Sequence, residues 1–214
     1  MEFERKLMSL DQDKLNQIVN SALMEFSRGY KNASTAKIAQ GAGISKALIF
    51  HYFENKENVL QYVFKIFCQT RKEHLERLEK DGVLNDPDFL RRLEEICLYQ
   101  LQETKQYPYL YDFVIAIYFS DEPEYVALKK SLLKLTNENW DLEHSHIWKG
   151  VDYSLFRQDI DIPRAINTAR LTLSSYIEQT VKVNFSMTAY LEDYNELVEE
   201  VGNYMTLFRQ TFYN

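Results

Sequence analysis

The chain has 214 residues, 45% hydrophobic and 27% charged, with a formal net charge of −7, a composition that can bury a real core in one domain or two small ones and suits an ordinary soluble protein. The longest apolar run, FVIAIYF at 113–119, is too short for a membrane span, and MEFERKLMSL at the N-terminus lacks the apolar core of a signal peptide, so a cytoplasmic location with no membrane partner is expected. Two cysteines, Cys68 and Cys97, are too few and too far apart for a metal knuckle or a disulfide framework, and they suit plain core positions in a reducing compartment.

The pattern along the chain is helical almost throughout. Leu15, Ile18, Val19, Ala22, Leu23 and Phe26 recur at intervals of three and four, an amphipathic helix that Gly29 can end in a left-handed conformation. Ser34 is the candidate N-cap of a short helix through Gln40, Gly41 to Gly43 read as a turn, Ser45 caps a third helix reaching about Phe53, and Asn55 a fourth reaching about Lys80. All four prolines (Pro87, Pro108, Pro123, Pro163) lie beyond that point. They punctuate a remainder with helices predicted roughly at 86–105, 108–119, 123–149, 163–186 and 189–213. There is no alternating strand pattern, repeat or low-complexity tract, so the fold class is all-α.

Residues 34–53 therefore hold two short helices joined by a tight turn, a helix-turn-helix arrangement. Ala39 is small where the helices cross, Gly43 tolerates a positive φ in the turn, and Ile38, Ile44 and Ile49 wedge the pair together. Arg28, Lys31, Lys37 and Lys46 are accompanied by no acidic residue from Arg28 to Phe53, although Asp and Glu supply 32 of the 214 residues; such a local basic patch suits an anion despite the acidic average. On a helical wheel Phe53, Ser45, Tyr52 and Lys46 gather around Ile49, whereas Ala47, Leu48, Phe50 and His51 face away. Leu48 and Phe50 then need a cover, either a neighbouring helix or a partner. A helix of this size fits the roughly 12 Å major groove of DNA, where thymine methyl groups offer apolar contact. Lys46 and Lys56 each follow an N-cap, where the helix dipole disfavours a cation and a phosphate outside would compensate.

The stretch GYKNASTAKIAQGAGISKALIFHYFENKENVL, Gly29 to Leu60, resembles the N-terminal DNA-binding domain of the tetracycline-repressor (TetR) family of bacterial regulators. The resemblance rests on the hydroxyl residues before Ile38-Ala39, on Ala42-Gly43-Ile44-Ser45, on the aromatic at Phe50, on His51-Tyr52-Phe53 and on Lys56-Glu57. It covers about residues 9 to 60 by motif; beyond that only length and helix order agree. The resemblance implies an N-terminal three-helix helix-turn-helix domain at 1–55, a helical ligand-binding and dimerisation domain at 56–214, a homodimer and a two-fold operator in double-stranded DNA. Carried over by position, Ser34, Thr35, Ser45, Tyr52 and Lys56 would touch phosphates, and Lys46, Ala47, Phe50 and His51 would meet base edges, with Leu48 beside them. Leu48 stands where the family often has a small polar residue, and Phe50 lacks the hydroxyl of the commoner tyrosine, so readout here would be more apolar.

The C-terminal part carries no catalytic constellation, and no enzyme, cofactor or metal is expected. His144 and His146 sit two apart and point away from each other on a helix, serines lack a His and acid arrangement, and no phosphate loop exists. Aromatic residues are dense from 107 to 156. Core filling is one reading; the other is a lipophilic ligand pocket drawing on Tyr107, Tyr111, Phe113, Tyr118, Trp140, Trp148 and Tyr176. Residues 58–214 carry 17 basic and 25 acidic side chains, which favours a neutral or cationic ligand over an anion. Two apolar stripes, Ile166, Ala169, Leu173, Ile177 and Val181, then Leu191, Tyr194, Leu197, Val198, Val201, Tyr204, Met205, Phe208 and Phe212, suggest a four-helix dimer interface. The expectation is a transcriptional repressor released from its operator by a small lipophilic inducer, with helix four as the lever; the alternative is a DNA-anchored adaptor controlled by a protein partner.

Overall fold

The computed structural model describes residues 6–7, 10–140, 145–183 and 194–214, and within these the side chains of 103–105, 136–140, 178 and 180–183 are not described. Nine helices run through the described residues: α1 (Gln12–Phe26), α2 (Thr35–Gly41), α3 (Lys46–Phe53), α4 (Lys56–Lys80), α5 (Phe89–Gln106), α6 (Leu110–Phe119), α7 (Pro123–Trp140), α8 (Ile162–Val183) and α9 (Tyr194–Phe212). The all-α class and the helix order agree with the sequence pattern.

The expected caps form. The Ser34 hydroxyl accepts from the Lys37 N–H at 3.4 Å, that of Ser45 from the Leu48 N–H at 3.2 Å, and the Asn55 side chain from the Asn58 N–H at 2.8 Å, each satisfying a donor that a helix start leaves open. Gly43 has φ +63° in the turn between α2 and α3. Gly41, expected in that turn, is instead the last residue of α2, and a Cβ there would lie 2.6 Å from the Ser21 Oγ of α1. The helix expected at 123–149 does not run that far: α7 is described as far as Trp140, and residues 146–150 form turns. The buried Arg92 of α5 explains this, because its guanidinium donates to the carbonyls of Ile147 (2.7 Å) and Lys149 (3.0 Å) as well as Asp86, and carbonyls turned to a side chain cannot continue a helical ladder.

The chain folds as two compact units. The first comprises residues 1–71 and 107–135, the second 72–106 and 136–214. The expected boundary after residue 55 thus falls inside the first unit, because α6 and α7 complete the core of the helix-turn-helix. In that core Phe26 of α1, Ile38 and Ala39 of α2, Ile49 and Phe53 of α3 and Val59, Leu60 and Val63 of α4 are buried with Phe113, Ile117, Tyr125 and Leu128. The second core gathers Leu78, Phe89, Leu90, Leu93, Trp148, Phe156, Ile166, Ala169, Leu173, Leu197, Val201, Met205 and Phe208. No helix among the described residues is long and apolar enough to cross a membrane.

Candidate nucleic-acid interface

The interface is built on α3, whose apolar residues divide as the wheel requires. Ile49 and Phe53 are buried, while Leu48 and Phe50 are each 40% exposed. Neither of the two exposed residues is therefore sheathed by a neighbouring helix. Ala47 and His51 are exposed beside them, so three of the expected base-edge residues, Ala47, Phe50 and His51, share one open face with Leu48. Tyr52 is half-buried with its ring edge-on to His51, centroids 5.1 Å apart. The wheel placed Ser45 and Lys46 on the inner side; both are exposed, because they start an eight-residue helix at the end that the core does not reach.

The lysines have local partners. The Lys46 Nζ lies 5.6 Å from the centre of the Phe50 ring, and the Lys56 Nζ 4.4 Å from that of Tyr30, distances at which a ring face attracts a cation. An aromatic face therefore offsets part of what the helix dipole costs each ammonium. Arg28, Lys31 and Lys37 are exposed as well. Ser34 and Thr35 are half-buried at the start of α2, with the Ser34 hydroxyl already turned inward to its cap.

Beneath this face lies a support that the sequence pattern did not single out. Glu25 of α1 is only 1% exposed, and its carboxylate accepts from Arg28 Nη1 at 2.9 Å and from the Ser34 N–H at 3.0 Å. A buried carboxylate needs such donors, and through Ser34 it fixes where α2 begins. The available signal was an acid inside the apolar stripe of α1. Glu122, just before α7, accepts from the N–H groups of Tyr30 at 2.6 Å and Lys31 at 2.9 Å, and the Tyr125 hydroxyl donates to the Phe26 carbonyl at 2.5 Å. Burial, first, and the nearby carboxylates of Glu122 and Glu124 push the Tyr125 phenol up, so it remains a donor. Nothing local in the sequence announces these contacts across more than ninety positions.

The seven residues expected to line a ligand pocket divide between the units. Tyr107 and Phe113 are buried in the first core, with Tyr118 packed against it and Tyr111 half-buried on α6. Trp148 is buried in the second core, its ring 4.9 Å from that of Phe89, and Tyr176 packs against Tyr204 at 5.3 Å. Phe113 and Trp148 are core fillers. The side chain of Trp140 lies outside the described residues, as do His144 and Leu191.

Residues 18–63 match the family described as bacterial regulatory proteins, tetR family. A curated relative, the fatty acid metabolism regulator protein of Bacillus subtilis (strain 168), is 33% identical over 75 residues, which is 35% of this chain and 37% of the relative. The match thus spans little more than a third of that protein's length. Two solved structures share the fold: the fatty acid degradation regulator FadR from Bacillus halodurans, at 20% identity and TM-score 0.55 over 91% of this chain and 97% of that one, and FadR from Bacillus subtilis in complex with stearoyl-CoA, at 20% identity and TM-score 0.51 over 90% and 96%.

Proposed function

From a chain that carries the N-terminal domain of the tetR family of bacterial regulatory proteins, we infer a cytoplasmic transcriptional repressor that binds operator DNA as a homodimer and leaves it when a lipophilic small molecule binds. The observation that carries this reading is α3: an open face of Ala47, Leu48, Phe50 and His51 flanked by Lys46, apolar enough for thymine methyl groups and with a cation at its edge for phosphate.

Dimerisation draws its support from α8 and α9. The two apolar stripes are largely spent inside the second core, so they are not the contact surface. The outward faces are. Asn167, Thr168, Leu171, Ser174 and Ser175 on α8, and Asn203, Thr206, Leu207, Gln210 and Thr211 on α9, are exposed and uncharged in a chain that is 27% charged. Depletion of charge marks the centre of a protein interface.

Two observations bear on the ligand. The acidic balance of residues 58–214 favours a neutral or cationic compound, whereas the FadR of Bacillus subtilis was solved with stearoyl-CoA, an anionic thioester with a long acyl chain. A ligand acts only through unequal affinity for the DNA-ready and DNA-released states. Coupling of about 1–3 kcal/mol lowers operator affinity some 5- to 150-fold, and operator weakens ligand binding by the same factor. The experiment is to select an operator from random DNA and then titrate long-chain acyl-CoA, free fatty acid and neutral sterols against the protein by tryptophan fluorescence, with and without that operator. Mutual weakening supports the reading. Binders indifferent to operator would hand the chain to the adaptor reading, in which a protein partner controls it.

A further inference from the structure

The loop after α1 is held from a distance. Pro123 occupies the first position of α7, where its fixed φ suits a helix start, and the Ser120 hydroxyl accepts from the Glu122 N–H at 3.1 Å. Glu122 is thereby fixed at the α6–α7 corner with its carboxylate directed at the two consecutive N–H groups of Tyr30 and Lys31. Paired backbone donors of this kind form a concavity for an anion. Gly29, at φ +96°, makes the approach possible: a Cβ on it would lie 3.2 Å from the Glu122 Oε2. Tyr125, the third residue of α7, holds the loop's other end at Phe26.

The same loop carries the ring on which Lys56 rests. Tyr30 stacks on Phe26 with centroids 6.1 Å apart and planes 6° from parallel, and meets the edge of Tyr125 at 6.5 Å. The ring has little freedom, and its face takes the Lys56 ammonium at 4.4 Å. A lysine on four flexible carbons loses rotamer entropy when it grips a phosphate; one already held has less to lose.

We propose that Glu122 and Tyr30 are positioning residues for the phosphate contact of Lys56, so that operator affinity depends on where the α6–α7 corner stands. This rests on the reading of Lys56 as a phosphate contact. Withdrawal of Glu122 leaves the Tyr30 and Lys31 N–H groups to water, frees the ring and lets the Lys56 ammonium roam. DNA grip is thereby conditional on a corner that lies well over fifty residues beyond Lys56 in the chain and outside the helix-turn-helix itself.

The test is a set of mutant cycles on the full chain, with the dissociation constant for the selected operator measured as a function of salt. Lys56→Ala should lower the salt slope by about 0.9. Glu122→Ala and Tyr30→Leu should each weaken binding about three- to tenfold, the worth of ordering one long side chain, and lose most of that effect in the Lys56→Ala background. Glu122→Gln, which keeps an oxygen acceptor, should fall between wild type and Glu122→Ala. Should Glu122→Ala fail to fold, Glu122→Gln and Tyr30→Leu carry the same test. Equal losses in both backgrounds would mean that the loop serves only the fold, and the proposal falls. An unchanged slope for Lys56→Ala would instead remove the phosphate contact itself, a separate and recognisable result.

Discussion

An aromatic ring 40% exposed on a helix, as Phe50 is, keeps apolar surface in water unless something covers it, and here the Lys46 ammonium covers one side only. Truncation should therefore cost the folded state little and the complex a good deal. Phe50→Ala is expected to leave stability within about 0.5 kcal/mol, as surface changes do, while weakening cognate operator binding by about 1–3 kcal/mol and relaxing preference at one base pair. Urea unfolding and binding to a library of singly substituted operators measure the two. At this scale the sequence was informative, since the division of α3 into a buried Ile49 and Phe53 and an open Leu48 and Phe50 follows from helical period alone. Ser45 and Lys46 escaped it because the wheel knows angle but not how far the core extends along the axis.

The crossing of α1 and α2 depends on a missing side chain. With a Cβ at Gly41 placed 2.6 Å from the Ser21 Oγ and 3.2 Å from its Cβ, Ser21 can turn its hydroxyl away but cannot move its Cβ, so the helices must part. Gly41→Ala should destabilise the protein by about 1–3 kcal/mol, recovered in part by Ser21→Gly, as read from thermal or urea unfolding. The end of α9 is tied to the start of α5 by Asp88, which accepts from Arg209 Nη1 at 2.5 Å and from the Tyr213 hydroxyl at 2.8 Å. Burial alone would raise this carboxyl, but those hydrogen bonds and one from the Arg91 backbone outweigh it and hold Asp88 below its ordinary 3.8. A depressed carboxylate stabilises fully above its unfolded value and loses that contribution as pH falls through the folded one. Asp88→Asn should thus lower the urea midpoint at neutral pH and converge on wild type once the pH has fallen below the folded-state value of Asp88. Helices and caps were legible because their causes are local: Ser34, Ser45 and Asn55 each serve a donor three residues on. The turns at 146–150 and the Glu122 contacts were not, because their causes, Arg92 and the Tyr30 loop, lie far away in the chain.

Across the whole molecule the uncharged exposed residues around Leu171 on α8 and Leu207 on α9 set the expected assembly. Leu171 is 48% exposed and Leu207 53%, each amid short polar side chains that lose little on desolvation compared with charges. Leu207→Glu should convert a dimer at micromolar concentration to a monomer in sedimentation and weaken operator binding, since a two-fold site needs both half-sites engaged. Fluorescence of Trp148, buried in the second core, reports whether that core survives the change.

The first unit is assembled from two separated lengths of chain, and this bears on synthesis and on engineering alike. A nascent chain that has released only residues 1–71 lacks Phe113, Ile117, Tyr125 and Leu128, so Phe26 must wait for the Phe113 ring, 6.5 Å from its own in the folded unit, until α6 emerges. The first core is thus completed only after residues 107–135 have been made, and a chimaera that borrows the helix-turn-helix must bring them along.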